Sequence, residues 1–261
     1  MSGKNPERVR ELLSFDLQLR KAAAAGLSLD GVDGAPGIPS FRDIAAPAQM
    51  PRLVGFDEAG RGALAGPVTV ACVGFDLPPD LTSDGDRADD LCRTLCTLDD
   101  SKRVTPTRRR VLFERIVAST RYGVGHASAA EIDRVGIVSA CRRATARAVA
   151  HIAGPIEFGL FDRGLSLPTD ALVVLPAGYR SVSLTRGDAR SLHIAASSII
   201  AKVARDALME HLDDRFPGYA FAEHKGYGTA AHRAAIVERG PSPIHRATFL
   251  GKLERAKSQF C

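Results

Sequence analysis

Residues 52–75 read RLVGFDEAGRGALAGPVTVACVGF. Two apolar runs, RLVGF and GPVTVACVGF, flank the polar stretch Asp57-Glu58-Ala59-Gly60-Arg61-Gly62. The second run is rich in β-branched residues, which suit a pleated surface, so two strands joined through a glycine loop are predicted here. Asp57 and Glu58 fall where the first strand is expected to end.

Working outward, Thr105-Pro106 opens a helix to about Val117, with Leu112, Phe113 and Ile116 on its apolar face. TRYGVGHA is a further strand. Ser128 and Glu131 have capping-box spacing, in which each side chain satisfies the other residue's free backbone N–H. The helix they start is interrupted at Gly136 and resumes over Ile137 to Ile152. EFGLFD, ALVVL and SVSLT are strand candidates, and Ala195 to Leu212 has helical spacing. The tail beyond Pro217 reads as irregular. Hairpin strands followed by alternating helices and strands predict an α/β fold, a mixed sheet flanked by helices.

Toward the N-terminus, residues 5–24 predict a lone helix capped by Asn5, with Pro6 in its first turn and a partial stripe of Val9, Leu12, Leu13 and Leu17. A Gly/Pro-rich run follows and reads as a linker. Residues 1–50 are thus expected to be an extension, and residues 51–261 the catalytic domain with its C-terminal helical or irregular segment.

The chain has 261 residues, 45% of them hydrophobic, enough to bury a core. No apolar run reaches the roughly 18 residues of a membrane span, and no apolar segment follows the N-terminal charges as a secretory signal would require. Five cysteines at 72, 92, 96, 141 and 261 lack zinc-type pairing, so free thiols in a reducing cytoplasm are expected. Cys92 and Cys96, in an acidic stretch, are read as exposed. The net charge of +5 is unevenly placed, with basic residues from Lys102 to Arg121 and from Arg186 onward. Such segments either face phosphates or form solvated helix faces.

Four carboxylates stand out. Asp57 and Glu58 end one apolar strand, Asp162 ends another, and Asp188 follows a glycine after a third. Carboxylates at strand ends can converge on hard, oxygen-seeking cations such as Mg²⁺, though acidic residues also serve as turn formers. Two such ions about 4 Å apart activate a water and stabilise the leaving oxygen of a phosphodiester. Adjacent strand residues point to opposite faces, so Asp57 is the firmer direct ligand, and Glu58 must act through a bend in the strand, its carbonyl or a water. Gly60-Arg61-Gly62 lets backbone approach a ligand, or is a plain tight turn. Neither GxGxxG nor GxxxxGK[ST] occurs, so a nucleotide cofactor is unsupported. Lys102 and Lys225 could hold phosphates, and Tyr227, set among glycines, could offer a ring to nucleic acid. His224 and His232 lack the further partners that zinc would need. Ser197 and Ser198 read as packing or capping groups.

Together these segments closely resemble ribonuclease HII. The matching pieces are LVGFDEAGRGALAGPV, DDSK, SAAEIDRVGI, the strand ending in Asp162, GDARSLHIAASSIIAKVARD and HKGYGT, in the family's order over roughly residues 51–250. The resemblance implies an RNase H-like fold, a five-stranded mixed sheet flanked by helices with a helical C-terminal part. It implies endonucleolytic cleavage of RNA in RNA–DNA hybrids and at ribonucleotides embedded in duplex DNA, with Mg²⁺ or Mn²⁺ as cofactor, in DNA repair and replication. Water would attack the phosphate and leave 5′-phosphate and 3′-hydroxyl ends. Asp57, Glu58, Asp162 and Asp188 match the acidic active-site set, the first three as metal ligands. Gly60, Arg61 and Gly62 match the loop that senses the 2′-OH, Tyr227 the tyrosine that stacks at the following deoxynucleotide, and Lys102 and Lys225 phosphate contacts. Arg163 stands where the family usually has glycine. The related ribonuclease HIII carries an N-terminal substrate-binding domain, for which residues 1–50 are too short and too helical. A cytoplasmic monomer is expected.

Overall fold

The computed structural model describes residues 5–29, 32, 52–75, 77, 85–96, 98, 104–167 and 175–251. In chain order the elements are α1 (Pro6–Ala24), β1 (Leu53–Ala59), β2 (Val68–Gly74), α2 (Gly85–Thr94), α3 (Pro106–Ser119), β3 (Arg121–Ala127), α4 (Ala129–His151), β4 (Phe158–Asp162), β5 (Arg180–Leu184), a 3-10 turn (Gly187–Ala189), α5 (Leu192–Arg215), α6 (Phe221–His224) and α7 (Ala230–Arg239). The five strands form one sheet in the order β3-β2-β1-β4-β5. β1–β2 and β2–β3 are antiparallel, whereas β1–β4 and β4–β5 are parallel. The sheet is therefore mixed, as the order of segments predicts.

Strand alternation sorts the core into two layers. Val54 and Phe56 of β1 and Val68, Val70 and Cys72 of β2 pack on one face against Ile132, Ala140, Ala144 and Ala148 of α4. Ala59, Ala71 and Val73 pack on the other face with Ile199 of α5, Leu112 and Ile116 of α3, and Val9 and Leu12 of α1. That second face also holds Leu19 and Ala22 of α1 against Leu53, Phe158, Leu160 and Leu184. Asp57 belongs to the α5 face by the same alternation, and Glu58 to the α4 face.

Local signals set several boundaries. Asn5 Oδ1 accepts the Arg8 N–H at 3.1 Å and caps α1. Ser128 Oγ accepts the Glu131 N–H at 3.2 Å, and Glu131 accepts the Ser128 N–H at 3.0 Å, so the capping box is made. Gly136 (φ 78°, ψ 157°) breaks α4, an angle open to glycine at little cost.

Three expectations need correction. Cys92 and Cys96 are buried, because α2 packs against α1, and Cys92 joins Leu91, Leu95 and Val9 in one apolar cluster. The tail beyond Pro217 is not irregular: it contains α6 and α7, and Thr229 caps the latter by accepting the His232 N–H at 3.2 Å. Strand β1 runs on through Asp57 and Glu58 to Ala59 rather than ending before them. The ALVVL segment falls almost wholly outside the described residues.

Candidate active site

The site is created by strands of unequal length. The parallel ladder between β1 and β4 ends at Phe56↔Phe161. β4 stops one residue later at Asp162, while β1 continues to Ala59 beside β2 alone. From Asp57 onward the β4-facing edge of β1 is therefore open, and side chains from both faces of the strand can swing into the notch. Ligand atoms of Asp57, Glu58 and Asp162 lie within 4.8 Å of one another. The alternation argument that set Glu58 apart thus fails here, because its carboxylate reaches the same point as that of Asp57. The cause is the missing neighbour strand, not a loss of β geometry.

The three carboxylates line an open cleft of about 550 Å³ together with Ala59, Arg163, Thr185, Arg186, Asp188, Ser198, Lys202 and Tyr227. Asp188 comes from the 3-10 turn, Ser198 and Lys202 from successive turns of α5. Asp162 Oδ1 accepts the Gly187 N–H at 2.7 Å, which links the β4 end to the turn bearing Asp188. Asp57 Oδ1 accepts the Glu58 N–H at 2.7 Å, and Ser198 also hydrogen-bonds this carboxylate.

Electrostatically the cluster is poised for a cation. Burial, then the neighbouring charges of Glu58 and Asp162, hold the Asp57 carboxyl well above the usual carboxylate range. Burial also raises Glu58, against the opposing pull of Arg61, whose Nη1 lies 3.4 Å from Glu58 Oε1. Glu58 Oε2 is buried without a hydrogen-bond partner among the described residues. Like charges gathered in a desolvated notch, with one oxygen unpartnered, fit a hard divalent ion bound by oxygen ligands.

Beside the carboxylates lies the glycine loop. Gly60 has φ +86°, and a Cβ there would meet Arg205 Nε at 1.8 Å, so no side chain is tolerated. A Cβ on Gly62 would meet nothing within 4 Å, which leaves that side of the loop open to a ligand. Arg61 reaches across the site mouth and donates from Nη1 to Gly164 O at 3.2 Å. The Tyr227 ring, 38% exposed, is braced by Arg205 Cζ at 5.3 Å and Lys202 Nζ at 5.8 Å from its centroid. Lys225 is not among the residues lining the cleft; its Nζ donates to Glu210 Oε1 at 2.7 Å. Lys102 lies outside the described residues.

The sequence reads Ser198 as a packing or capping group and does not single out Lys202 or Arg186. For the first two a signal existed: Ser198 and Lys202 are four residues apart, so on a helix they share a face. His224 and His232 are not metal ligands in waiting, for both ring nitrogens of each are hydrogen-bonded, His232 Nδ1 to Tyr227 O at 2.9 Å and Nε2 to His245 Nε2 at 3.0 Å.

The mixed five-stranded sheet with its flanking helices is an RNase H-like fold, and three carboxylates cluster where its central strands part. The family model described as Ribonuclease HII matches residues 54–252. A Ribonuclease HII of Syntrophotalea carbinolica is 44% identical over 204 residues, covering 78% of this chain and 87% of that protein. The crystal structure of the ribonuclease H2 from Pyrococcus horikoshii OT3 superposes with a TM-score of 0.59 at 23% identity, over 80% of this chain and 99% of that one. A crystal structure of Bst-RNase HIII in complex with Mn²⁺ gives a TM-score of 0.55 at 18% identity, over 89% of this chain and 76% of that one. These two structural likenesses speak for the fold. The chain belongs to the ribonuclease HII family, endonucleases of the ribonuclease H class.

Proposed function

We propose that this chain cuts the RNA strand of RNA–DNA hybrids, and cuts beside single ribonucleotides embedded in duplex DNA, leaving 5′-phosphate and 3′-hydroxyl ends. The observation carrying this reading is the convergence of Asp57, Glu58 and Asp162 within 4.8 Å, next to a glycine loop whose outer side is open.

Asp57, Glu58 and Asp162 would hold Mg²⁺ or Mn²⁺, with Asp188 lining the same cleft. A divalent ion bound there supplies Lewis-acid activation of water and stabilisation of the leaving oxygen. The chain's own residues do the rest. Backbone groups of Gly60, Arg61 and Gly62 bond the 2′-OH, the group that separates RNA from DNA. Tyr227 stacks on the next deoxynucleotide, its ring braced by Arg205 and Lys202. Arg163 and Lys202, which line the cleft, position phosphates, a role that suits Arg163 in place of the family's glycine. Lys102 and Lys225 contact phosphates. The 2′-OH is read and not used as nucleophile, so no cyclic phosphate forms.

Residues 51–261 are the catalytic unit in this reading, and residues 1–50 an extension whose helix packs on it. The protein works as a cytoplasmic monomer in ribonucleotide removal during replication and repair. Product ends test the proposal. A duplex with one ribonucleotide should yield a ligatable 5′-phosphate at the cut, and a 2′,3′-cyclic phosphate product would refute it.

A further inference from the structure

Two buried arginines pack against the glycine loop, and neither lines the cleft. Both Arg205 and Arg246 are 0% exposed. Arg246 donates from Nη2 to Gly60 O at 2.7 Å, from Nη1 to Arg61 O at 2.9 Å and from Nε to Gly66 O at 3.0 Å. Its own N–H donates to Leu64 O at 2.8 Å, and the segment before it pairs with the loop through the Ala65↔His245 bridge. Arg205 donates from Nε to Pro67 O at 2.9 Å and from Nη2 to Ala65 O at 3.2 Å, and it stands between Gly60 and the Tyr227 ring.

A fully buried guanidinium is costly to desolvate, and apolar packing would fill the same space more cheaply. What Arg246 gives instead is orientation. In a planar trans peptide the C=O and the N–H point in opposite directions. Fixing Gly60 O toward Arg246 turns the Arg61 N–H away from it, and fixing Arg61 O likewise turns away the Gly62 N–H. These are two successive donors turned away from Arg246, and a Cβ at Gly62 would meet nothing within 4 Å among the described residues, so the loop is uncrowded there. A carbonyl that accepts from a cation is also polarised, which strengthens the N–H of the same peptide as a donor.

We propose that Arg246 is a positioning residue for ribonucleotide recognition: by binding the carbonyls of Gly60 and Arg61 it aims and polarises two backbone donors at the 2′-oxygen, and so sets the preference for ribose over deoxyribose. This rests on the substrate reading above. Arg205 supports the same loop from Pro67 and Ala65 and couples it to Tyr227.

The test is binding in an Asp57→Asn background, where no strand is cut, to a duplex with one ribonucleotide and to the same duplex of DNA alone. Arg246→Lys should shrink the preference for the ribonucleotide duplex by about tenfold, the scale of one charge-assisted hydrogen bond, and leave affinity for the all-DNA duplex unchanged. A parallel fall on both duplexes marks a merely structural residue and overturns the proposal, as does an unchanged preference. If thermal melting shows that Arg246→Lys does not fold, Arg246→Gln, which keeps a side-chain donor at this position, carries the same expectation and the same refutation. Absence of any ribonucleotide preference in the Asp57→Asn protein itself refutes the substrate reading, and the role of Arg246 falls with it.

Discussion

Asp162 accepts the Gly187 N–H through Oδ1 at 2.7 Å, so one carboxylate both joins the cluster at the strand ends and fixes the turn that carries Asp188. A Cβ at Gly187 would lie 2.6 Å from Ile194 Cδ1 and 3.2 Å from Asp162 Oδ1. Gly187→Ala should therefore push the turn off Asp162. Overpacking of this kind costs about 1–3 kcal/mol of stability. We expect kcat to fall by at least about tenfold, one kcal/mol-scale misplacement of the reacting groups, with KM changing less. Steady-state kinetics alongside thermal melting check this, and wild-type kcat would show that Asp188 needs no such tether.

Clustered carboxylates cost stability when no cation offsets their repulsion. Removing one buried like charge by Asp57→Asn should leave the metal-free protein as stable as wild type or about 1 kcal/mol more so, while abolishing cleavage and largely preserving hybrid binding. Divalent ion at a hundred times its Kd should stabilise the wild type by about 2.7 kcal/mol, and this gain should vanish in the variant. Melting curves with Mg²⁺, with Mn²⁺ and with chelator read out both effects.

Helix α1 is tied into the fold by Asp16, which is fully buried and accepts the His193 N–H at 3.0 Å and contacts its Nδ1 at 2.7 Å. That N–H is one of the free donors at the start of α5, the helix bearing Ser198 and Lys202. Asp16→Ala leaves two buried groups of His193 without a partner and should cost about 2–4 kcal/mol. Denaturant unfolding measures it, and a loss under about 0.5 kcal/mol, the size of an ordinary surface substitution, would mean that the pair contributes little.

A histidine chain sets an acid limit on stability. The Ser242 N–H donates to His245 Nδ1 at 2.9 Å, so His245 carries its proton on Nε2 and donates it to His232 Nε2, whose Nδ1–H then bonds Tyr227 O. Protonated His232 would turn an N–H against that of His245. Burial, with His224 and His245 adding to it, lowers His232 from its ordinary 6.5 to about 4. The unfolded chain thus binds the proton first, so stability is intact above about pH 6.5 and is lost as pH falls through about 4. His232→Gln should flatten the melting temperature between pH 7 and pH 4. An equally steep profile in the variant would assign the effect elsewhere.

What the sequence made legible was local. The Asn5 cap, the Ser128–Glu131 box and the break at Gly136 depend on residues within one turn of each other, and each stands as read. The sequence places the start of helix α5 three residues late, because Ser191, its cap, precedes apolar residues with no clean period. Helices α6 and α7 escaped because they are short and bury little beyond Phe221, His232 and Ile236. Longer-range facts were out of reach. The burial of Cys92 depends on α1, about eighty residues earlier in the chain. The convergence of Glu58 depends on where β4 stops, and that is set by pairing, not by the DEAGRG stretch itself. Arg205 and Arg246 carry charges that ordinarily mark a surface, and only the fold shows them buried against the glycine loop.

The most direct measurement follows one duplex DNA bearing a single ribonucleotide, incubated with Mg²⁺, with Mg²⁺ and excess chelator, and with the Asp57→Asn protein. The carboxylate cluster predicts a cut beside the ribonucleotide in the first reaction alone. A cut that survives chelation, or near-normal turnover by Asp57→Asn, would contradict it.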